Sequence, residues 1–129
     1  MSDPRTKLVA DAYDAIGETF VDWRERVVGD PRGQWEAELG SRLADGARVL
    51  EFGCGAGTPE TRRLASRFRP TGVDISPRQV ARARAAVPEA AFLCADFTEL
   101  ELEERSFDAV VSFSVFNHVP RGLLAPLIR

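Results

Sequence analysis

The chain has 129 residues, of which 44% are hydrophobic and 29% are charged. This composition excludes a disordered chain or a disulfide scaffold, and the length predicts one domain rather than a two-domain enzyme. The 17 basic and 20 acidic residues give a net charge of −3 with no basic block, which argues against nucleic acid or an anionic membrane as a partner.

The apolar runs are far shorter than the roughly 20 residues of a membrane span, and the first residues lack the apolar core of a secretory signal. We therefore expect a cytoplasmic protein whose partner is a small molecule. The two cysteines, Cys54 and Cys94, lie 40 positions apart, which fits neither a disulfide framework nor a metal-binding pattern. We expect both to be free thiols and expect no metal site.

The N-terminal third has helical periodicity. An apolar stripe that includes Tyr13, Phe20 and Trp23 predicts one amphipathic helix over residues 6–28, with these aromatic side chains facing the core. A glycine- and proline-containing segment at 29–33 ends it, and a second helix is expected over 34–43. Residues 1–46 are therefore predicted to form a helical cap.

From residue 47 onward, short apolar runs alternate with helical stretches. This alternation is typical of parallel strands joined by crossover helices, so 47–129 is predicted to be an α/β core with helices on both faces of the sheet. The predicted strands are 48–52, 72–75, 91–94 and 108–113, and the helices between them are 60–68 and 77–86.

A glycine-rich loop follows the first predicted strand. Gly53, Gly55 and Gly57 alternate with other residues, and a helix is expected to begin near residues 58–60. Glycine lets a ligand approach the backbone closely, and the amide groups of a helix N-terminus favour an anion. Such loops also occur as plain tight turns, so the glycines alone are weak evidence for a ligand site.

Asp74 ends the second predicted strand, 19 positions after Gly55. An acidic residue about 20 positions beyond a glycine loop is placed to accept hydrogen bonds from ribose hydroxyls, although it can also serve only as a helix cap. A dinucleotide fingerprint requires a small third residue where this chain has Thr58, which disfavours NAD.

Four motifs occur in order along the chain: VLEFGCGAG at 49–57, GVDIS at 72–76, CADF at 94–97 and FDAVVSF at 107–113. Together they resemble the class I S-adenosylmethionine-dependent methyltransferases that act on small molecules. The resemblance implies a Rossmann-like parallel sheet in the order 3-2-1-4. It also implies S-adenosylmethionine as cofactor, S-adenosylhomocysteine as product and a small-molecule methyl acceptor.

The resemblance further implies a role for each motif residue. Glu51 would help to hold the cofactor's ammonium group, Asp74 would accept from the ribose hydroxyls, and Asp96 would accept from the adenine amine. The glycine loop would face the amino-acid end of the cofactor with Gly53, Cys54, Gly55, Ala56 and Gly57. The residues beside the adenine would be Ile75, Ser76 and Phe97. The methionine portion of the cofactor and the entrance for the substrate would be lined by Ser112, Phe113 and Ser114. Tyr13, in a helix similar to the family's lid, would cover the cofactor.

His118 is the single histidine and follows the fourth predicted strand. It is a candidate base or substrate-orienting group for an acceptor that must lose a proton, although a loop histidine bonded to backbone is the simpler interpretation of a lone histidine. Two other functions stay open: a non-catalytic S-adenosylmethionine-binding or interaction module, and an NAD-binding oxidoreductase.

The resemblance ends after the fourth strand, and the family's later strands, with their antiparallel hairpin, are not in this sequence. The apolar fourth strand would then form an exposed edge, which invites pairing. We expect either that the chain is part of a larger methyltransferase or that two copies form a homodimer along this edge.

Overall fold

The computed structural model describes residues 3–57 and 59–127. From residue 48 onward, strands alternate with helices and turns. The helices are α1 Pro4–Ile16, α2 Glu18–Arg26, α3 Arg32–Arg42, α4 Glu60–Ala65, α5 Pro77–Ala86 and α6 Arg121–Leu127, with 3-10 helices at Phe97–Glu99 and Phe116–His118. The strands are β1 Arg48–Phe52, β2 Arg69–Asp74, β3 Ala91–Cys94 and β4 Ala109–Ser112.

The four strands form one parallel sheet in the order β3-β2-β1-β4. β1 lies in the centre, where Glu51 stands opposite Gly72 on β2 and Val111 on β4. The Rossmann-like α/β fold predicted from the sequence is thereby confirmed, including the strand order. Because all strands run in one direction, their carboxyl ends, and the loops that carry the motifs, meet at one edge of the sheet.

Successive β1 side chains point to opposite faces of the sheet, and each face has its own core. Val49 packs with Leu64 and Phe68 beneath α3 and α4. Leu50 and its neighbours on the other face pack against Phe97 and other side chains from the segment between β3 and β4. A 3-10 helix and a loop therefore cover the centre of this second face.

The prediction of a single helix over residues 6–28 is wrong, because two helices, α1 and α2, meet at Gly17. Gly17 has φ +56, a left-handed conformation, and a Cβ there would lie 3.2 Å from a guanidinium nitrogen of Arg82. Glycine avoids both the strain and the contact. The break lets α1 pack on α5, where the Ser76 hydroxyl donates a hydrogen bond to Asp14.

Other element boundaries differ slightly from the predictions. The helix expected over 60–68 ends at Ala65, and β2 begins at Arg69, three residues before the predicted start. Among the described residues, no helix has both the length and the apolar character needed to cross a membrane.

Candidate functional site

A cavity of about 380 Å³ lies between the N-terminal helices and the carboxyl ends of the strands. Thirteen of the sixteen predicted site residues line it, and they come from all four motifs, from α1 and from the turn after β4. They are Tyr13, Glu51, Gly53, Cys54, Gly55, Ala56, Asp74, Ile75, Asp96, Phe97, Phe113, Ser114 and His118. The fold therefore brings together, in the wall of one cavity, residues that lie up to 105 positions apart in the sequence.

Two glycines in the loop after β1 have conformations and surroundings that require glycine. Gly53 has φ +70, and a Cβ there would lie 2.1 Å from Cγ2 of Val115. Gly55 has φ +56 and faces open space, because nothing lies within 4 Å of its Cβ position. The loop thus packs tightly against Val115 at Gly53 and leaves its backbone accessible to a ligand at Gly55.

Asp74 joins the end of β2 to the glycine loop. Its Oδ2 accepts from the backbone N–H of Gly55 at 2.9 Å, and its Oδ1 accepts from the backbone N–H of Ser76 at 2.9 Å. Burial raises the pKa of this carboxyl group, while the backbone hydrogen bonds act in the opposite direction. Each carboxylate oxygen keeps a second lone pair, so Asp74 can also accept from hydroxyl groups in the cavity.

Glu51 is a buried acid in the cavity wall. It accepts a hydrogen bond from the Thr61 hydroxyl on α4. Burial raises the pKa of Glu51 to about 7, partly offset by that hydrogen bond. A cation placed in the cavity would favour the ionised form, so this carboxyl group can respond to a ligand's ammonium group.

Asp96 presents a buried acceptor atom without a donor. Its Oδ1 accepts from the backbone N–H of Thr98 at 3.0 Å and from the Thr98 hydroxyl at 2.6 Å. Its Oδ2 is buried and has no hydrogen-bond partner among the described residues. The adjacent Phe97 ring stacks on Phe52 with centroids 4.5 Å apart. An amine donor beside a planar ring system would satisfy both features.

Tyr13 reaches from α1 across the cavity to the turn after β4. Its hydroxyl lies 3.1 Å from Nε2 of His118, and the two rings meet edge to face. Burial raises the pKa of the Tyr13 phenol, and the nearby Asp74 carboxylate raises it further. The sequence pointed to both residues but did not predict this hydrogen bond, which connects α1 with the turn after β4.

The helical stripe predicted that Trp23 faces the core, and this prediction is wrong. Its side chain lines the cavity and is 57% exposed. Although the helix breaks at Gly17, the stripe residues Tyr13, Phe20 and Trp23 still share one side, which faces the cavity. Phe20 also lines the cavity, between the Tyr13 and Trp23 rings.

Arg32 is a charged residue of the cavity wall that the sequence motifs did not indicate. From the start of α3, its guanidinium donates to Glu60 at 2.7 Å and to the Ser114 hydroxyl at 3.0 Å, and it lies 3.5 Å from an Asp30 carboxylate oxygen. Among the described residues, it is the one Lys or Arg in the cavity wall. It lies in the segment interpreted only as a helix breaker, so no motif marked it.

Three predicted site residues lie outside the wall of this cavity. Gly57 packs against Ala83 of α5, Ser76 is a buried N-cap that accepts from the Gln79 backbone N–H, and Ser112 lines a neighbouring cavity instead. The argument from Thr58 concerns a residue outside the described part of the chain.

Both cysteines are free thiols. Cys54 lies in the cavity wall, where burial raises its pKa and keeps the thiol protonated, whereas Cys94 is exposed. Within the described residues, no group of three or more His, Cys, Asp or Glu side chains could hold a metal ion.

The fold and the cavity define a Rossmann-like protein with a nucleoside-sized site at the carboxyl ends of its strands. Residues 49–129 match the family model described as a methyltransferase domain. The chain therefore belongs to the class I S-adenosylmethionine-dependent methyltransferase family.

Two curated relatives cover most of this chain. The 27-O-demethylrifamycin SV methyltransferase of Amycolatopsis mediterranei is 31% identical over 93% of this chain and 52% of its own length. The trans-aconitate 2-methyltransferase of an Enterobacter species is 36% identical over 78% of this chain and 42% of its own length. The chain thus spans about half the length of these relatives.

A solved structure shows the same fold. The magnesium protoporphyrin IX methyltransferase of Synechocystis, crystallised with S-adenosylmethionine, superposes with a TM-score of 0.72 at 20% identity. The match covers 99% of this chain and 70% of that protein.

Proposed function

We propose that this chain binds S-adenosylmethionine and forms part or all of an enzyme that transfers the methyl group to a small-molecule acceptor. The observation that carries the proposal is the meeting of all four family motifs in one cavity wall. The two relatives named above act on a demethylrifamycin and on trans-aconitate, which are both small molecules.

The polar groups in the wall match the parts of the cofactor in order. Asp74 has lone pairs for the ribose hydroxyls, and the unpartnered Oδ2 of Asp96 fits the exocyclic amine of adenine. The ionisable Glu51 fits the ammonium group, next to the open backbone at Gly55. This donor and acceptor set supports S-adenosylmethionine over NAD, whose pyrophosphate would meet several carboxylates in this wall.

The bound cofactor would supply a methyl group that its sulfonium makes electrophilic, so the protein has mainly to position the acceptor and exclude water. We propose that His118 takes the proton that a hydroxyl acceptor loses. Its contact with Tyr13 fixes the imidazole at the cavity and couples it to the lid helix. The outcome is a methylated acceptor, S-adenosylhomocysteine and one proton.

Calorimetric titration of this chain with S-adenosylmethionine, S-adenosylhomocysteine and NADH tests the proposal. Saturable micromolar binding of the first two compounds, with none for NADH, is the expected result. Binding without methyl transfer to any acceptor in a broad panel would favour the non-catalytic module. Absence of binding to either sulfur compound would overturn the proposal.

We also propose that a second copy pairs along the outer edge of β4. This strand pairs with β1 on one side only within the described residues, and its Val110 side chain is 56% exposed. Light scattering should show a dimer, and Val110→Lys should dissociate it, because a lysine on an edge strand opposes pairing. A wild-type chain that is strictly monomeric at high concentration would rule this out.

A further inference from the structure

A second cavity, of about 480 Å³, adjoins the candidate cofactor cavity near the end of β4. The two cavities share four wall residues, which are Trp23, Arg32, Phe113 and Ser114. The rest of its wall comes from the segment that joins α2 to α3, from Trp35 of α3 and from Ser112 of β4. A molecule in it would therefore lie directly beside the site proposed for the cofactor.

The second cavity carries aromatic surface that the protein core does not use. Trp23 and Trp35 both line it, and their side chains are 57% and 64% exposed. Val27 and Val28 extend the same apolar wall and are also exposed. Both tryptophans of the chain thus face one cavity, and such concentrated exposed apolar surface beside a cofactor site is typical of a ligand site.

A series of ring contacts connects this cavity with the candidate base. Tyr13 contacts His118 and also Phe20, with ring centroids 5.7 and 5.3 Å apart. Phe20 in turn lies 5.8 Å from Trp23. The apolar wall is therefore continuous from the proposed proton acceptor to the second cavity, and a bound ring could lie along it.

The charged groups of the second cavity disfavour an anion. Among the described residues, its wall contains one acidic side chain, Asp30, and one cationic side chain, Arg32. Arg32 already lies against Asp30 and Glu60. An anionic acceptor would therefore meet no uncommitted cation in this wall.

An ammonium acceptor is also disfavoured, because the sulfonium repels it and it must lose its proton before it has a lone pair to attack the methyl group. An uncharged hydroxyl keeps its lone pairs and needs only to lose a proton as the new bond forms. The apolar wall, the lack of an uncommitted charge in the second cavity and the imidazole of His118 in the wall of the adjoining cavity all suit such a group.

We propose that this second cavity is the acceptor subsite and that it takes an uncharged, ring-bearing molecule with a hydroxyl group, stacked against Trp23 and Trp35. The proposal rests on the methyltransferase function proposed above. In the transfer, the methyl carbon–sulfur bond breaks as the oxygen–carbon bond forms. The hydroxyl proton passes to His118, and S-adenosylhomocysteine leaves.

Two probe compounds with the same ring system and different charge test the proposed class of acceptor directly. We would titrate the chain, with and without S-adenosylhomocysteine, with 2-naphthol, which is uncharged at neutral pH, and with 2-naphthoate, which is an anion. Each titration would be repeated with Trp35→Ala, Trp35→Phe and the control Leu102→Ala. Leu102 is an exposed apolar residue that lines neither cavity, and Trp35 lines only the second one.

We expect 2-naphthol to bind at least tenfold more tightly than 2-naphthoate. Trp35→Ala should weaken the binding of 2-naphthol by about tenfold, and Trp35→Phe should keep most of the wild-type affinity. Leu102→Ala should leave the affinity for 2-naphthol unchanged. S-adenosylhomocysteine affinity should be the same in all three variants, which also shows that they are folded. The proposed acceptor subsite would be overturned if 2-naphthoate bound as tightly as 2-naphthol or more tightly, or if Trp35→Ala left the affinity for 2-naphthol unchanged. Failure to bind S-adenosylhomocysteine would instead contradict the proposed function.

Discussion

The backbone N–H of Gly55 donates a hydrogen bond of 2.9 Å to Oδ2 of Asp74, across 19 positions of sequence. This bond fastens the loop after β1 to the carboxyl end of β2, while the other Asp74 oxygen holds the turn that begins α5. The cap of α5 is Ser76, and the role of Asp74 in the turn before this helix is compatible with its interpretation as a ligand-binding residue. One carboxylate shapes the loop and still has lone pairs facing the cavity.

Replacing Asp74 should therefore weaken cofactor binding. Each charge-assisted hydrogen bond contributes about 1.5 to 3 kcal/mol, so Asp74→Ala should reduce S-adenosylhomocysteine affinity by at least tenfold in calorimetry. Asp74→Asn keeps an oxygen that can accept from one backbone N–H, so we expect it to fold better than the alanine variant while still binding weakly. The exposed Asp11→Asn is the matched control, and affinities equal to wild type in both Asp74 variants would contradict the ribose assignment.

Glu51 should make stability depend on pH in a defined direction. Burial raises its pKa to about 7 in the folded protein, above the ordinary value of 4.5. Between these two pH values the folded state holds a proton that the unfolded state releases. The stabilisation that protonated Glu51 gives the folded state is therefore complete below about pH 4.5 and is lost as the pH rises through about 7. Relative to Glu51→Gln, the wild type should lose up to about 3 kcal/mol of unfolding free energy over this interval.

Urea denaturation of both proteins at pH 4.5, 6 and 8 measures this difference. Comparison with the glutamine variant cancels the contributions of the other carboxyl groups, because the buried amide has no proton to lose. A stability difference that does not change with pH would show that Glu51 titrates normally.

The same pKa predicts proton release on cofactor binding. An ammonium group near Glu51 favours the carboxylate, so at pH 6.5 binding should expel part of a proton, and affinity should rise with pH up to about 7. Calorimetry of S-adenosylhomocysteine binding in buffers of different ionisation enthalpy counts these protons. The Glu51→Gln variant should release fewer, and equal proton counts in both proteins would place the ammonium group elsewhere.

The sequence predicts the sheet and its motifs well because their signals are local. Apolar runs of four to six residues identify the strands, and Gly55 and Asp74 carry the spacing of a nucleoside site. The break at Gly17 leaves no trace in the apolar stripe, which continues through it at helical spacing. Arg32 was missed for a similar reason, since its partners Glu60 and Ser114 lie 28 and 82 positions away and become neighbours only in the folded chain.

Gly53 should tolerate substitution less well than another glycine of similar conformation. Gly53 and Gly46 have φ +70 and +79, but a Cβ at Gly53 would collide with Val115 whereas Gly46 has nothing within 4 Å. Gly46→Ala should cost about 1 kcal/mol of stability from backbone strain alone, and Gly53→Ala should cost clearly more. Thermal unfolding of both variants measures the difference.

A second substitution separates collision from strain. Val115→Ala shortens the colliding side chain, so the double variant Gly53→Ala/Val115→Ala should be more stable than the two single effects predict. Simple additivity would show that the loop shifts away from Val115 and that the tight packing at Gly53 does not hold the loop in place.

Asp96 should determine which base the cavity accepts. Its unpartnered Oδ2 can accept from the amine of adenine but cannot pair with the carbonyl of hypoxanthine, so the wild type should bind S-adenosylhomocysteine at least tenfold more tightly than its hypoxanthine analogue. Asp96→Asn can keep an oxygen towards Thr98 while placing an NH₂ group at the former Oδ2 position. That variant should lose the preference for adenine or reverse it, as calorimetry with both ligands would show. Because the ratio of two affinities within one variant does not depend on its stability, an unchanged ratio would mean that Asp96 does not contact the base.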